Sequence, residues 1–531
     1  MPTDCITYQN SGYFTQLIID YLSEKEALQP LYNHFPKIEN FKSQIEEKKL
    51  NFNDNDNIKR QILVNELEKQ NVRLSLSKST TTNIQLLNNS NTFTVTTGHQ
   101  LNLFTGPLYF LYKIISTINL CKELKVTYPD YNFVPIYWMA TEDHDFDEIN
   151  HFNFKGKKIS WNRESSGSVG RLSTDGLDKV YELFAKQLGN STNAEILKKL
   201  FYDAYCEHTT LADATRFLAN QLFSALGLVI LDADNHNLKR EFIPYIKDEL
   251  LKQASFAKVS ETIAKLDYDI QVNPREINLF YIEDNLRERI IYENGNYKIN
   301  NTKIQFTKDE ILKLVDENPE KFSPNVILRP LYQEVILPNL CYIGGGGEIA
   351  YWLELKAMFD YHNITFPMLL VRNSVLLATE KQATKADKLE LSWHDLFSNQ
   401  QALFDKKTKQ FSQFSIDFTT QKEALQLQFE KLYAIANTTD KSFVGAVKAQ
   451  EIKQIKGLEN LEKRLLKAEK RVHADQLERI ILLQNELFPN QGLQERKNNF
   501  SEFYLESSTT LIDKLLKDLK PLEQEFSITL V

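Results

Sequence analysis

Apolar positions fall into two regimes along this chain. Between residues 92 and 371 they form short β-branched or aromatic runs, each followed by a glycine or acidic cluster and then by helical periodicity. Thr92 to Thr97 (TFTVTT) reads as a strand with alternating faces. It leads into Gly98-His99-Gln100, then Phe104-Thr105-Gly106-Pro107, then an apolar-periodic helix to about Leu124. Pro107 falls where a first helical turn tolerates proline, because that N–H would be unpaired anyway. A second apolar run, Phe133 to Ala140, ends in Thr141-Glu142-Asp143-His144. Strand, helix and buried strand in close succession predict a βαβ unit and hence a parallel sheet. Gly227 to Leu231, Cys341 to Ile343 and Phe366 to Val371 continue it, so the expected class is α/β with a doubly wound core.

Two stretches read as insertions in that core. Residues 152–226 are partly helical, and residues 277–306 form a small antiparallel meander turning at Asn294-Gly295-Asn296. Residues 1–90, with an Asn/Asp run at 51–57, read as helical packing material. The second regime begins at Leu369: up to Phe488 there is no proline, and Gly445 and Gly457 are the only glycines. Within it Ile452, Ile455, Leu458, Leu461, Leu465, Ala468 and Val472 recur at spacings of three and four. This predicts a helix buried along one side, either packed on the body or paired in a hairpin or coiled coil. The expected division is 1–151 for N-terminal helices and the first half of the core, 152–226 for a helical insertion, and 227–260 for core. A β-containing insertion follows at 261–320, then core at 321–380, a helical coiled-coil domain at 381–509 and a return to the core at 510–531.

Composition narrows the function classes. The 531 residues carry 63 basic and 71 acidic side chains, a net charge of −8, which disfavours a nucleic-acid-wrapping protein. Gly and Pro number only 17 and 15, in keeping with long helices. Four scattered cysteines (Cys5, Cys121, Cys206, Cys341) form no C-x-x-C pair and read as free thiols of a reducing compartment. With no signal-peptide pattern and no spanning apolar stretch, the expected location is the cytoplasm, with no membrane partner.

Three constellations could carry chemistry. The first is Gly98-His99-Gln100 with Thr105-Gly106, between a strand and its helix, where α/β proteins bind ligands. Its glycines allow close backbone approach, and His99 and Gln100 could donate to a phosphate or an oxyanion. A tight turn needing glycine for geometry alone fits the same pattern. The second is Glu142-Asp143-His144-Asp145-Phe146-Asp147-Glu148-Ile149-Asn150-His151, with five carboxylates and two histidines. If helical, it sets His144, Asp147, Glu148 and His151 on one face, able to bind a divalent metal or hold a general base. An acidic helix start is the plainer alternative. The third joins Arg329, Gln333 and Glu334 to the run Gly344-Gly345-Gly346-Gly347-Glu348, whose glycines can form a backbone nest for a phosphate or carboxylate. Arg372 and Arg496 could bind carboxylates, Asp232 and Asp234 end a candidate strand, and Cys341 reads as core.

At these motifs a family resemblance enters. The runs TGHQLNLFTGPLYFLYKIIS, PIYWMATEDHDFDEINH, SPNVILRPLYQEVILPN, YIGGGGEIAYWLELK and PNQGLQER closely resemble the cysteine-adding enzymes of bacillithiol synthesis, the BshC family. The resemblance implies a Rossmann-like core, similar to nucleotidylyltransferases and class I aminoacyl-tRNA synthetases, with a coiled-coil domain used for homodimerisation. It implies a ligase that joins cysteine to glucosaminyl-malate, with ATP or ADP as ligand and Mg²⁺ accompanying the nucleotide. Amide formation needs the carboxylate activated, as an acyl-adenylate or acyl-phosphate, and the amine neutral. On this reading His99 and Gln100 stabilise phosphate. Glu142, Asp143, His144, Asp145 and Asp147 handle the amine and the Mg²⁺, with no metal held by protein ligands alone. Gly98, Thr105, Gly106, Arg329, Gln333, Gly345, Gly346, Gly347, Glu348 and Arg372 orient substrates and nucleotide. A metal-dependent hydrolase built on His144 and His151, and a nucleotide-holding coiled-coil scaffold, are the alternatives.

Overall fold

The computed structural model describes residues 4–52 and 57–531, so residues 53–56 of the Asn/Asp run lie outside it. Five strands, β1 (Thr92–His99), β2 (Asn132–Met139), β3 (Val229–Asp232), β4 (Asn339–Gly344) and β5 (Met368–Val371), form one sheet in the spatial order β5-β4-β1-β2-β3. Every pairing in it is parallel. The chain builds outward from β1 to β3, then returns to lay β4 on the other side of β1. The order therefore reverses between β1 and β4, the place where open α/β sheets bind ligands.

Every residue of β1 is buried, which corrects the expectation of alternating faces. A parallel sheet is covered by helices on both sides, so its central strand has no solvent face for Thr94 or Thr96. Their hydroxyls instead donate to Asn339 Oδ1 on β4, at 3.2 and 2.9 Å. On one face helix α1 (Tyr109–Thr127) buries Phe110, Leu111, Ile114, Ile115 and Ile118. It starts two residues after Pro107 rather than on it. On the other face Phe41 and Ile45 pack against Phe93, Val95 and Ile343.

Two further helices begin beside the sheet: α2 (Leu328–Ile336), which leads into β4, and α3 (Gly346–Leu353), which follows it. Helix α3 ends at Leu353, and a separate short helix, Lys356–Tyr361, follows. There the Glu354 carboxylate turns to accept the backbone N–H groups of Gln271 and Val272, at 2.7 and 3.2 Å.

The first insertion carries helices Leu177–Leu188, Thr192–Tyr205 and Leu211–Phe223 after a hairpin of His151–Phe154 with Lys157–Ser160. The second is the expected meander, Leu279–Glu283, Leu286–Glu293, Asn296–Ile299 and Gln305–Phe306, joined by Phe322–Pro324. Its turn sets Asn294 at φ 53° and Gly295 at φ 83°, the left-handed pair of a tight hairpin. At the ends of the chain, strand Asp4–Thr7 pairs antiparallel with Glu525–Leu530. The terminal strand returns to the body, and it does so on a partner strand within residues expected to be helical.

Residues Met1–Leu377 and Gln494–Val531 form one compact unit, and Ala378–Leu493 a second. The second unit contains helices α4 (Thr419–Ala436), α5 (Lys441–Val472) and α6 (Ala474–Leu487). Helices α4 and α5 meet through Phe429, Ala436 and Val447, a Lys422–Glu462 ion pair at 2.6 Å and a Tyr433–Glu451 hydrogen bond at 2.8 Å. The helical period is there, but burial of the stripe is not: on α5 only Val447 is buried, and Ile452, Leu461 and Val472 are exposed. Among the described residues no helix is long and apolar enough to cross a membrane.

Candidate active site

A cavity of about 500 Å³ opens at the carboxyl ends of β1, β2 and β4. That is within the usual range for small-molecule sites, roughly 300–1,000 Å³. From β1 and its turn come Gly98, His99 and Gln100, and from the end of β2 come Trp138, Glu142 and Asp143. Tyr342 and Gly345 to Glu348 supply the β4 side, with Lys113, Arg329, Arg372 and Arg496 around them. The meander adds Arg287.

His99 ends β1 in register with Met139 of β2. Its buried ring lies edge-on to Tyr109 at 5.4 Å and 4.9 Å from Phe110. Burial, then the nearby charge of Lys113, holds the imidazole well below its ordinary pKa despite a hydrogen bond with the Thr105 backbone, so the ring is neutral. Its Nε2 has no hydrogen-bond partner among the described residues. Thr105 and Gly106 do not line the cavity. They form a left-handed turn, φ 67° and 64°, in which a Cβ on Gly106 would lie 2.6 Å from Asn102 Cβ. Asn499 Nδ2 clasps that turn from outside through the Phe104 and Gly106 carbonyls, each at 2.7 Å. The pair shapes the support of His99.

The glycine run is partly filled by the protein itself. Gly345 caps α3, and its N–H donates to Glu348 Oε2 at 2.9 Å. Glu348 Oε1 accepts from Tyr342 Oη at 2.7 Å, and its carboxylate is ion-paired with Lys113. Lys113 Nζ also donates to the Gly98 carbonyl at 2.7 Å, so one lysine ties the ends of β1 and β4 together. Burial lowers the Lys113 ammonium from its ordinary value, and Glu348 opposes the shift.

The cations differ in what they face. Arg372 is bound through both Nη atoms by Glu495, while its Nε is buried without a partner. Among the described residues Arg329 hydrogen-bonds only to neutral groups, Gln333 Oε1 at 3.1 Å and Tyr351 Oη at 3.3 Å. Its guanidinium lies 5.6 to 5.9 Å from the ring centres of Trp138, Tyr342 and Trp352. Arg329 is half-buried, with the Glu348 charge nearby but no ion pair of its own among the described residues, and a cavity wall is where a ligand anion can supply one. Gln333 does not line the cavity; it holds Arg329 from behind.

On the opposite wall, Gln100 Nε2 donates to Asp143 Oδ2 and Glu148 Oε2, each at 2.8 Å. Burial would raise the Asp143 carboxyl. Hydrogen bonds from His144 and Gln100, with the Arg287 charge, hold it well below the usual carboxylate range. Burial lifts Glu142 from its ordinary value, although Lys239 is ion-paired to it. Lys239 also faces Asp234, which accepts Arg171 through both oxygens at 2.8 and 3.0 Å. Asp232 accepts Thr141 at 2.5 Å and Arg216 at 3.3 Å, a supporting network below the cavity.

The acidic run is not one helix. Asp145 caps a four-residue helix, Phe146–Ile149, and His151 already begins a strand. His144, Asp147, Glu148 and His151 therefore do not share a helical face, and among the described residues no group of three or more His, Cys, Asp or Glu could hold a metal. This removes the structural basis of the metal-hydrolase alternative. His144, Asp145 and Asp147 are exposed and lie outside the cavity lining. Arg287 Nη1 lies 2.8 Å from His144 Nδ1. Sequence reasoning missed Lys113, Arg287, Trp138, Tyr342 and Tyr351. Lys113 had a signal, a lone cation between Tyr112 and Ile114 in an otherwise apolar helix start. Arg287, in a polar meander, had none.

Two family models together match nearly the whole chain. Residues 1–373 match the family model described as Bacillithiol biosynthesis BshC, N-terminal Rossmann-like domain. Residues 375–531 match Bacillithiol biosynthesis BshC, C-terminal coiled-coil domain. The chain is 68% identical over 529 residues to a Flavobacterium psychrophilum protein named "Putative cysteine ligase BshC", covering 99% of both. It is 67% identical to the protein of that name from Flavobacterium johnsoniae, again over 99% of each chain. A Bacillus thuringiensis protein of the same name is 27% identical, with 94% of this chain and 95% of that one covered.

Proposed function

The chain belongs to the BshC family of bacillithiol biosynthesis, and from that premise we propose that it is a cysteine ligase, joining the carboxyl of cysteine to the amine of glucosaminyl-malate in the last step of that synthesis. One observation carries the reading: a single cavity pairs Arg329, a half-buried cation hydrogen-bonded to neutral groups, with Asp143, a half-buried carboxylate kept ionised. An amide-forming site must seat an anionic substrate group and receive an amine. A guanidinium matches a carboxylate in shape as well as charge. Asp143 and Glu142 accept hydrogen bonds from the amine, and Glu142, lifted by burial, is the better proton acceptor of the two.

A carboxylate is a poor acyl donor, and an adenine nucleotide, when bound, would supply the activating group. The residues present fit its phosphates: Arg372 Nε is a buried donor without a partner among the described residues, on a side chain that lines the cavity. With the N-terminus of α3, it would hold the anion. Neutral His99, its ring N–H engaged by the Thr105 backbone, would present Nε2 as an acceptor for a hydroxyl or amino hydrogen of the ligand. The donors of Gln100 are engaged by Asp143 and Glu148, so its part is to orient Asp143. Mg²⁺ enters the proposal only as the nucleotide's companion.

Homodimerisation through the second unit belongs to the same proposal, supported by the exposed Ile452 and Leu461 on α5. So does a cytoplasmic location, supported by four free cysteines. The test is a turnover assay on purified protein with cysteine, glucosaminyl-malate and Mg-ATP, following thiol and nucleotide products together by mass spectrometry. Bacillithiol with AMP or ADP is the expected result. No product, either alone or after addition of cell extract lacking the protein, would overturn the reading.

A further inference from the structure

We propose that Lys48 and Glu334 are positioning residues for the cavity's unpaired cation, acting through the Gln333 amide on Arg329. The inference rests on the reading that Arg329 receives an anionic group of the substrate. Neither Lys48, Glu334 nor Gln333 lines the cavity, and all three are buried.

The chain of contacts is continuous. Arg329 stands in the first turn of α2, and Gln333 one turn later, where i and i+4 side chains meet. Gln333 Oε1 accepts from Arg329 Nη1 at 3.1 Å, while Gln333 Nε2 donates to Glu334 Oε1 at 2.9 Å. An amide can sit either way round, and its neighbours decide which. Turned over, this one would set its oxygen against a carboxylate and its NH₂ against a guanidinium. The ionised Glu334 thus fixes the amide with its oxygen toward Arg329.

Glu334 needs help to remain an anion there. Burial pushes its carboxyl above the ordinary range. Against that stand Lys48 Nζ, at 3.0 Å from Oε2, and Asn339 Nδ2, at 2.7 Å from Oε1. Asn339 is itself oriented by Thr94 and Thr96 of β1. Lys48 comes from helix Phe41–Asn51, 286 residues away in sequence. Without it the buried carboxylate loses its counter-charge and takes a proton on the vacated Oε2. A neutral acid holds the Gln333 amide more weakly in one sense, and Arg329 loses the fixed oxygen that seats it.

The test uses Gln333→Met, Lys48→Met and the double variant Lys48→Met/Glu334→Leu, beside Arg329→Lys. Removing one partner of a buried pair can prevent folding, whereas replacing both is often tolerated, so the double variant keeps the test decisive. Crystal structures of the folded variants read the Arg329 side chain without any ligand. Steady-state kinetics and calorimetry with glucosaminyl-malate read its consequence. The expected result is a displaced or multiply placed Arg329, with KM raised about tenfold and kcat within about twofold, since only a binding group has moved. An unmoved Arg329 in Gln333→Met and in the double variant overturns the inference. A displaced Arg329 with unchanged affinity upholds the positioning, and, if Arg329→Lys also binds normally, it is the anion-binding reading of Arg329 that fails.

Discussion

Glu495 grips Arg372 through both carboxylate oxygens, Oε1 accepting from Nη2 at 2.7 Å and Oε2 from Nη1 at 3.0 Å, across 123 residues of sequence. Glu495 lies in the late run PNQGLQER, and Arg372 directly follows β5. The pair therefore binds the returning C-terminal segment to the edge of the Rossmann-like core. It also leaves only Nε of Arg372 facing the cavity.

Breaking that pair from one side leaves a buried, uncompensated guanidinium. Glu495→Ala is expected to lose about 3–5 kcal/mol of stability, measured by denaturant unfolding. Arg372→Met/Glu495→Leu should recover most of it. Equal stability of Glu495→Ala and wild type would show the contact to be unimportant.

His99 makes stability depend on pH in a known direction. Its folded pKa lies well below the ordinary value of 6.5, chiefly through burial. The unfolded chain therefore binds this proton first as pH falls. The contribution is fully present above about pH 6.5 and declines below it, by up to about 1.4 kcal/mol per pH unit. Between pH 7.5 and 5.5 the melting temperature of wild type should fall more steeply than that of His99→Gln. Parallel curves would contradict a neutral, buried imidazole.

Asp143 and His144 are neighbours with different expected roles. Asp143 lines the cavity and orients Gln100, whereas the His144 ring lies outside the lining and is engaged by Arg287. Asp143→Asn is expected to reduce turnover about 10²–10⁴-fold with the fold intact, the scale of a lost acid–base or orienting group. His144→Ala should cost far less. Because the Asp143 carboxyl is held below the usual range, it should add no limb to the pH–rate profile above pH 4, which a profile of the wild type checks.

Phe104 anchors the turn behind His99. With φ at 49°, its ring lies 5.1 to 5.6 Å from the rings of Phe152, Phe184, Phe201 and Phe500. Phe104→Ala should cost about 3–5 kcal/mol, as large aromatic deletions in cores do. Calorimetric melting of the variant measures it.

Much of this was legible along the chain because it is local. The parallel strands, their apolar composition and the strand-to-helix turns at Gly98-His99-Gln100 and Gly344 to Glu348 all follow from period, β-branching and glycine placement over a few residues. The carboxylates at Glu142 and Asp143 could be placed at a strand end for the same reason. The acidic run left a shared helical face open, because composition alone does not show that Asp145 caps a single turn and that Asn150 ends it. The α5 stripe showed its helical period, but period says nothing of what covers it.

What the sequence alone determined, then, is the set of elements and the residues at their ends. Which of those ends meet was decided by the strand order β5-β4-β1-β2-β3, which lays β4 beside β1 and so brings Lys113 to Glu348. The same packing set Lys48 against Glu334 and Glu495 against Arg372. Such partners leave no periodic trace, because a buried charge is satisfied by whatever lies near it in space. Proximity in space, unlike period along the chain, exists only once the layers have closed.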